Sequence, residues 1–408
     1  MNTLLDSLHP YPFERLKELT QSIVPSRVHA PINLSIGEPK HPTPKVVTEA
    51  WCRDLKGLSV YPATSGSEAL KSAMVTWLQS RYGLKGLDPM RHVLPVNGSR
   101  EALFAFAQVV IDPQLKPVVV APNPFYQIYE GAALLAGGRT YLVPQLAENQ
   151  FRCQWSQVPE AVWQQTSLLF VCSPGNPTGS VIALDEWQVL FDLSERYGFV
   201  IASDECYSEI YFDEGKPPMG ALEAAQALGR DFSRLVSFTS LSKRSNCPGM
   251  RSGFVSGDPN LIKKFLLYRT YHGSAMNLVV QQASIAAWSD EGHVIENRRA
   301  YKAKFEAVMP LLGPLLHCEW PEAGFYVWGK VPGGNDVQFA LDLLARFNVQ
   351  VLPGSLLARE LKTADSLQPN WQTNPGQGFI RLALVEPEAA CLEGAQRIVA
   401  LVSQYGAS

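Results

Sequence analysis

An α/β fold, with a large domain on a mostly parallel central sheet and a smaller α+β domain, is what three features of this chain predict. Short apolar runs alternate with helical patterns across residues 93–255, as strands do when helices cross over on both faces of one sheet. The run Phe199-Val200-Ile201-Ala202 leads straight into polar residues, as a buried strand does when its ligand-binding groups sit at the carboxyl end. The 408 residues suffice to bury a large core and divide into two unequal domains. We expect residues 1–48 to join the small domain, 49–287 to form the large one, and 288–408 to give an interdomain helix and the rest of the small domain.

Taken in order, residues 92–96 read as a strand that gives way at Asn97-Gly98-Ser99-Arg100-Glu101-Ala102-Leu103 to a helical pattern ending near Val110. A small-residue turn opening a helix offers free backbone N–H groups to an anion, here around Ser99 and Arg100; an N-capping serine explains the same pattern. Val118-Val119-Val120-Ala121 is the next strand, then residues 168–172, followed by Ser173-Pro174-Gly175-Asn176-Pro177-Thr178-Gly179. Two prolines and two glycines make that turn fixed. Its Asn176 can donate a hydrogen bond into a site, or the segment is an ordinary turn.

The strand 199–202 ends at Asp204. A buried aspartate needs a cationic partner, and a protonated pyridine nitrogen would serve, with Tyr207 and Asn176 in reach of that ring's phenolic oxygen. A helix-capping aspartate is the alternative. After the strand 235–238 comes Ser240-Leu241-Ser242-Lys243-Arg244-Ser245-Asn246-Cys247-Pro248-Gly249-Met250-Arg251, which suits a Schiff-base lysine beside a phosphate cup. An amine attacks an aldehyde only when neutral, so Lys243 needs a desolvated, cation-rich pocket. Arg251, returned by the Pro248-Gly249 bend, supplies that field while pairing with a phosphate. A solvated surface loop is the competing reading.

Residues 253–255 form a further strand, and 288–312 carry a charged amphipathic pattern expected to be one long helix. Gly324-Phe325-Tyr326-Val327-Trp328 and residues 379–384 read as strands of the small domain, and the polar stretch 363–378 as a loop whose Asn374-Pro375-Gly376 approaches the substrate.

Composition narrows the function. A net charge of −3 with interspersed signs gives no basic footprint for nucleic acid. Seven cysteines form an odd set without paired spacing, which favours free thiols in a reducing, cytoplasmic compartment. Cys206 and Cys247 are expected to flank the pocket as small core residues. The seven histidines lack the short helical spacing of a metal pair, so no metal is expected. The start has charges and prolines where a secretory signal needs an apolar stretch, and no run of about 18 apolar residues suggests a membrane span.

Together these segments, in this order, resemble the pyridoxal-phosphate aminotransferases of fold type I, class I/II. The resemblance covers nearly the whole chain and includes Leu34-Ser35-Ile36-Gly37-Glu38-Pro39, Tyr61-Pro62 with Gly66, Pro122-Asn123-Pro124-Phe125-Tyr126 and Ile380-Arg381-Leu382. It implies pyridoxal 5'-phosphate as cofactor, with Lys243 as its Schiff-base lysine and proton carrier and Asp204 on the pyridine nitrogen. It further implies Tyr207 and Asn176 on the ring oxygen, Tyr126 stacked on the ring, and Ser99, Arg100, Ser240 and Arg251 on the phosphate. Arg381 resembles the clamp for the substrate α-carboxylate, helped by Gly37 and Asn176. Tyr61 resembles the tyrosine that reaches the phosphate of a neighbouring subunit, which implies a homodimer with shared sites.

His9-Pro10-Tyr11-Pro12-Phe13-Glu14-Arg15-Leu16, Ser35-Ile36-Gly37-Glu38-Pro39-Lys40-His41-Pro42, Asn123-Pro124-Phe125-Tyr126-Gln127-Ile128-Tyr129 and Ser242-Lys243-Arg244-Ser245-Asn246 are similar to the bacterial N-succinyldiaminopimelate aminotransferases. That implies N-succinyl-LL-2,6-diaminopimelate and 2-oxoglutarate as partners, with Arg15, Arg100, Arg244 or Arg269 meeting a distal carboxylate. The alternatives are another amino-acid aminotransferase, a carbon–sulfur lyase on the same scaffold, or a cofactor-sensing module, for which the short, neutral N-terminus leaves no DNA-binding segment.

Overall fold

The computed structural model describes residues 1–53, 55–115, 117–360 and 373–405. Its strands in chain order are β1 (Ile32–Asn33), β2 (Val93–Val96), β3 (Val118–Asn123), β4 (Arg139–Pro144), β5 (Thr166–Cys172) and β6 (Val200–Asp204), then β7 (Leu235–Ser240), β8 (Gly253–Gly257), β9 (Tyr326–Lys330), β10 (Val349–Gln350), β11 (Leu352–Pro353) and β12 (Phe379–Ala383). The main sheet has the order β2-β8-β7-β6-β5-β3-β4. Only β8 runs against the rest, pairing antiparallel with both β2 and β7.

Strands β3 and β7 are buried along their whole length, which is why β3 opens on an unbroken apolar run rather than an alternating one. Along β3 the period of two still sorts the side chains. Val118 and Val120 face a core shared with Trp77, Trp187, Leu190 and Trp288, while Val119 and Ala121 face another with Phe106, Tyr129 and Phe265. Burying each large apolar side chain contributes about 1.5–3 kcal/mol, so two faces of such contacts outweigh strand propensities that span ~1 kcal/mol.

A third core draws Ile32 and Leu34 together with Phe305, Leu312, Val327, Leu343, Ile380 and Ile398. It lies on the three-stranded antiparallel sheet β11-β12-β9 and on the parallel pair β1-β10. This shared core supports our proposal that residues 1–48 and 288–408 form one small domain around the large 49–287 one.

Three details differ from expectation. The long helix expected from about 288 to 312 is present as Gly292–Leu315, but it starts later than expected because Trp288 closes a separate helix, Leu278–Trp288. Asp290 Oδ2 accepts the backbone N–H of His293 at 3.0 Å, meeting one of the unpaired donors that a new helix start exposes. Strand β4 was not anticipated; it holds the sheet edge through six parallel pairs with β3. Of the loop expected over 363–378, residues 363–372 lie outside those described. Asn374 and Gly376 serve the backbone there, with Asn374 Nδ2 donating to Ser355 O at 2.9 Å and Gly376 packed against Gly354.

Candidate active site

Sheet register lines up the chain ends that build the site. Cys172 of β5 sits opposite Asp204 of β6, Asp204 opposite Phe238 of β7, and Gly253 of β8 opposite both Ser240 and Val96. The turns that follow these positions line a cleft of about 510 Å³. Eleven of the twelve residues expected from sequence line it: Gly37, Ser99, Arg100, Tyr126, Asn176, Asp204, Tyr207, Ser240, Lys243, Arg251 and Arg381. The twelfth, Tyr61, lies outside this chain's own cleft with its side chain wholly exposed.

Lys243 stands in the four-residue helix Leu241–Arg244 directly after β7. Burial pushes its pKa down to about 8, with Arg381 and Arg100 adding to the fall and Cys206 and Glu38 opposing it. Its Nζ donates to the Gly37 carbonyl and lies 5.5 Å from the centre of the Phe325 ring. The amine is thereby kept desolvated and partly neutral, the state a nucleophilic lysine requires.

Asp204 is 4% exposed. Its Oδ2 accepts from the Tyr129 hydroxyl at 2.9 Å and its Oδ1 from the backbone N–H of Cys206 at 3.2 Å. The bond to Cys206 is the local turn that a capping reading anticipated, but the burial goes beyond a cap. Desolvation raises the carboxyl pKa, partly offset by these bonds. Among the described residues Asp204 forms no ion pair, so none of them supplies a cation to this buried carboxylate. A ring nitrogen carrying a proton would complete it.

The turn between β2 and the helix Ser99–Val110 is a close-approach point. Gly98 has φ +88 and ψ 155, a region essentially reserved for glycine, and a Cβ there would lie 2.0 Å from Arg251 Nη2. Ser99 is the first helical residue and makes no capping bond; its hydroxyl accepts from Cys206 Sγ at 2.9 Å. Ser240 does cap its own short helix, accepting the N–H of Ser242 at 3.1 Å. Arg251 reaches back to Asn97 O at 3.3 Å and Pro248 O at 2.9 Å. Serine hydroxyls, a helix start and this guanidinium form a cradle suited to a phosphate. An aromatic aldehyde with a protonated ring nitrogen and a phosphate therefore matches the groups this cleft presents.

The opposite wall comes from the small sheet and the N-terminal segment. Arg381 of β12 is 3% exposed; its Nη1 donates to Asn176 Oδ1 at 2.9 Å and its Nη2 to Ser35 O at 2.7 Å, above the Tyr326 ring. Gly37 is needed for space, since a Cβ would meet the Tyr326 hydroxyl at 2.0 Å. Tyr207 and Tyr326 share a hydrogen bond of 2.9 Å. Arg100 Nε donates to the Tyr126 hydroxyl at 2.7 Å and its Nη2 to Tyr11 at 3.1 Å.

Of the four arginines considered for a distal carboxylate, Arg100 alone lines the cleft. Arg244 is spent on Glu291 and the Ala287 carbonyl, and Arg269 on both oxygens of Glu101 and on Ser274 O. Arg15 is exposed. Cys206 lines the cleft as expected, whereas Cys247 does not and turns its thiol to Leu241 O. Sequence reading gave no role to Tyr11, Glu38, Tyr129 or Tyr326. All four stand in segments already quoted from the sequence, but nothing local in those segments marks a role for them.

The family Aminotransferase class I and II matches residues 30–371, and the chain belongs to that family. Its members use pyridoxal 5'-phosphate and act on amino acids and oxo acids. The chain is 31% identical over 402 residues to LL-diaminopimelate aminotransferase of Nitratidesulfovibrio vulgaris, covering 97% of this chain and 98% of that protein. Among solved structures, an aminotransferase from Neisseria meningitidis is 53% identical with a TM-score of 0.93, over 98% of this chain and 100% of that one. A probable N-succinyldiaminopimelate aminotransferase from Thermus thermophilus is 27% identical with a TM-score of 0.83, over 95% and 99%. Among the described residues no helix is long and apolar enough to cross a membrane.

Proposed function

We propose that this aminotransferase moves the amino group between N-succinyl-LL-2,6-diaminopimelate and 2-oxoglutarate, in the synthesis of diaminopimelate and lysine. The observation that carries this reading is the set of cations that line one cleft, Arg381, Lys243, Arg251 and Arg100. Such an array suits a long substrate with a carboxylate at each end. The likeness to the Thermus protein supports the same choice.

When bound, the cofactor supplies the electron sink for the pair left as the substrate α-carbon loses its proton. The remaining tasks fall to the chain. Lys243 would hold the cofactor aldehyde, then take the α-proton on its Nζ and return one in the second half-reaction with 2-oxoglutarate. Asp204 would keep the ring nitrogen protonated, with Tyr129 fixing its carboxylate. Tyr126 would cover a ring face and exclude water, and Tyr207 and Asn176 would hold the ring oxygen. Ser99, Ser240, Arg251 and Arg100 would take the phosphate, with Arg100 also facing the distal carboxylate. Arg381, Gly37 and Asn176 would orient the α-carboxylate.

One observation favours a second reading, LL-diaminopimelate itself. Glu38 lines the cleft and would pair with a free distal ammonium, which succinylation removes; the N. vulgaris relative carries that substrate in its name. Coupled assays of both donors against 2-oxoglutarate decide between them by kcat/KM, and turnover of neither rejects both. A lyase would release a β-substituent without needing the oxo acid. We also propose a homodimer in which Tyr61 completes the neighbour's site, and a cytoplasmic location, which the seven free thiols support.

A further inference from the structure

Lys243 sits in a helix of only four residues, too short to hold its own shape. Ser240 caps its start, but the last carbonyls of any helix lack intrahelical partners. Those of Lys243 and Arg244 are met by one side chain from the small-domain helix Gly292–Leu315: Asn297 Nδ2 donates to Lys243 O at 3.2 Å and to Arg244 O at 3.5 Å. With its amide nitrogen so committed, the Asn297 oxygen faces the other way. It accepts from Asn246 Nδ2 at 3.0 Å and from His41 Nδ1 at 2.8 Å. An amide oxygen can only accept, so His41 donates from Nδ1; burial lowers the pKa of its ring.

His41 ends the segment whose other end, Gly37, accepts from Lys243 Nζ. Thr43 Oγ1 then donates to Asn246 O at 2.9 Å. The cleft wall that carries Gly37 and Glu38 is thus tied to the lysine segment at both ends, and Asn297 is the joint. One helical turn earlier His293 bonds Ser245 at 2.8 Å and Asp290 at 2.5 Å. Ser245 is wholly buried, so this Asp–His–Ser relay is an anchor out of substrate reach, holding the same segment from the same helix face.

We infer that Asn297 is a positioning residue: it fixes the Lys243 backbone from the small domain and, through His41, sets the wall bearing Gly37 and Glu38 against the lysine amine. The inference rests on the assignment of Lys243 as the cofactor lysine.

The test uses the holoenzyme and the variants Asn297→Asp, which keeps size but cannot donate to the two carbonyls, Asn297→Ala and His41→Ala. Both Asn297 variants should lower kcat on the order of tenfold and shift the pH midpoint of the bound cofactor's visible absorbance by about half a unit. His41→Ala should instead raise the apparent KM for 2-oxoglutarate, about threefold or more, with kcat nearly kept. Folded Asn297→Asp with the wild-type midpoint and kcat overturns the inference. Should neither Asn297 variant fold, His41→Ala decides: unchanged KM overturns it. Lys243→Ala runs in parallel; if it retains the same titrating absorbance, the lysine assignment fails, a result distinct from failure of the Asn297 role.

Discussion

At the scale of single residues, the lysine amine sets the pH behaviour. Its folded pKa of about 8 lies below the ordinary 10.5, so between these values the unfolded chain holds a proton that the cofactor-free fold does not. Stability from this group is therefore gained as pH rises through that window. The neutral, reactive amine likewise grows through pH 8. Cofactor-free protein should capture pyridoxal 5'-phosphate faster with rising pH, with a midpoint near 8; a flat profile from pH 6 to 10 would exclude the desolvated amine. Arg381 supports a second expectation. An ammonium cannot keep both the Asn176 and the Ser35 bonds while gripping a carboxylate. Arg381→Lys should weaken donor binding by about 2 kcal/mol, or about thirtyfold in apparent KM. An unchanged KM would remove the arginine from the carboxylate.

At the scale of elements, the turn after β2 shows how much the sequence disclosed. Residues 97–103 were legible as a small-residue turn opening a helix, a pattern that an N-capping serine explained equally well until the structure left the helix start without a side-chain cap. What stayed hidden was that Gly98, not Ser99, holds the special backbone geometry, and that it does so to admit Arg251 from a segment about 150 residues away. Contacts of that kind leave no local signal. The same holds for Tyr129 and Tyr326, which act through Asp204 and Tyr207 and sit in ordinary apolar patterns. The reversed direction of β8 was invisible too, since a buried run reads alike in either orientation. Gly98→Ala should cost about 1–3 kcal/mol in backbone strain and loosen phosphate retention by displacing Arg251. Equal cofactor affinity in dialysis against wild type would show that the cradle does not depend on this approach.

At the scale of the whole molecule, the exposed Tyr61 side chain is the feature that one subunit does not account for. If it completes a neighbour's site, Tyr61→Ala and Lys243→Ala chains should each be impaired. Refolded together, they should form hybrids holding one intact site. Random pairing makes half the dimers hybrid, so about a quarter of wild-type activity should return; no recovery despite confirmed hybrids would keep Tyr61 in its own subunit. The two-domain plan was legible because apolar runs mark the large sheet. The small domain was less so, because its core joins Ile32 to residues more than 250 positions away. All of this converges on the amine in the cleft between them. Reducing the holoenzyme with borohydride and mapping its peptides tests that most directly: the cofactor should be found on Lys243, and finding it fixed to any other lysine would contradict the account.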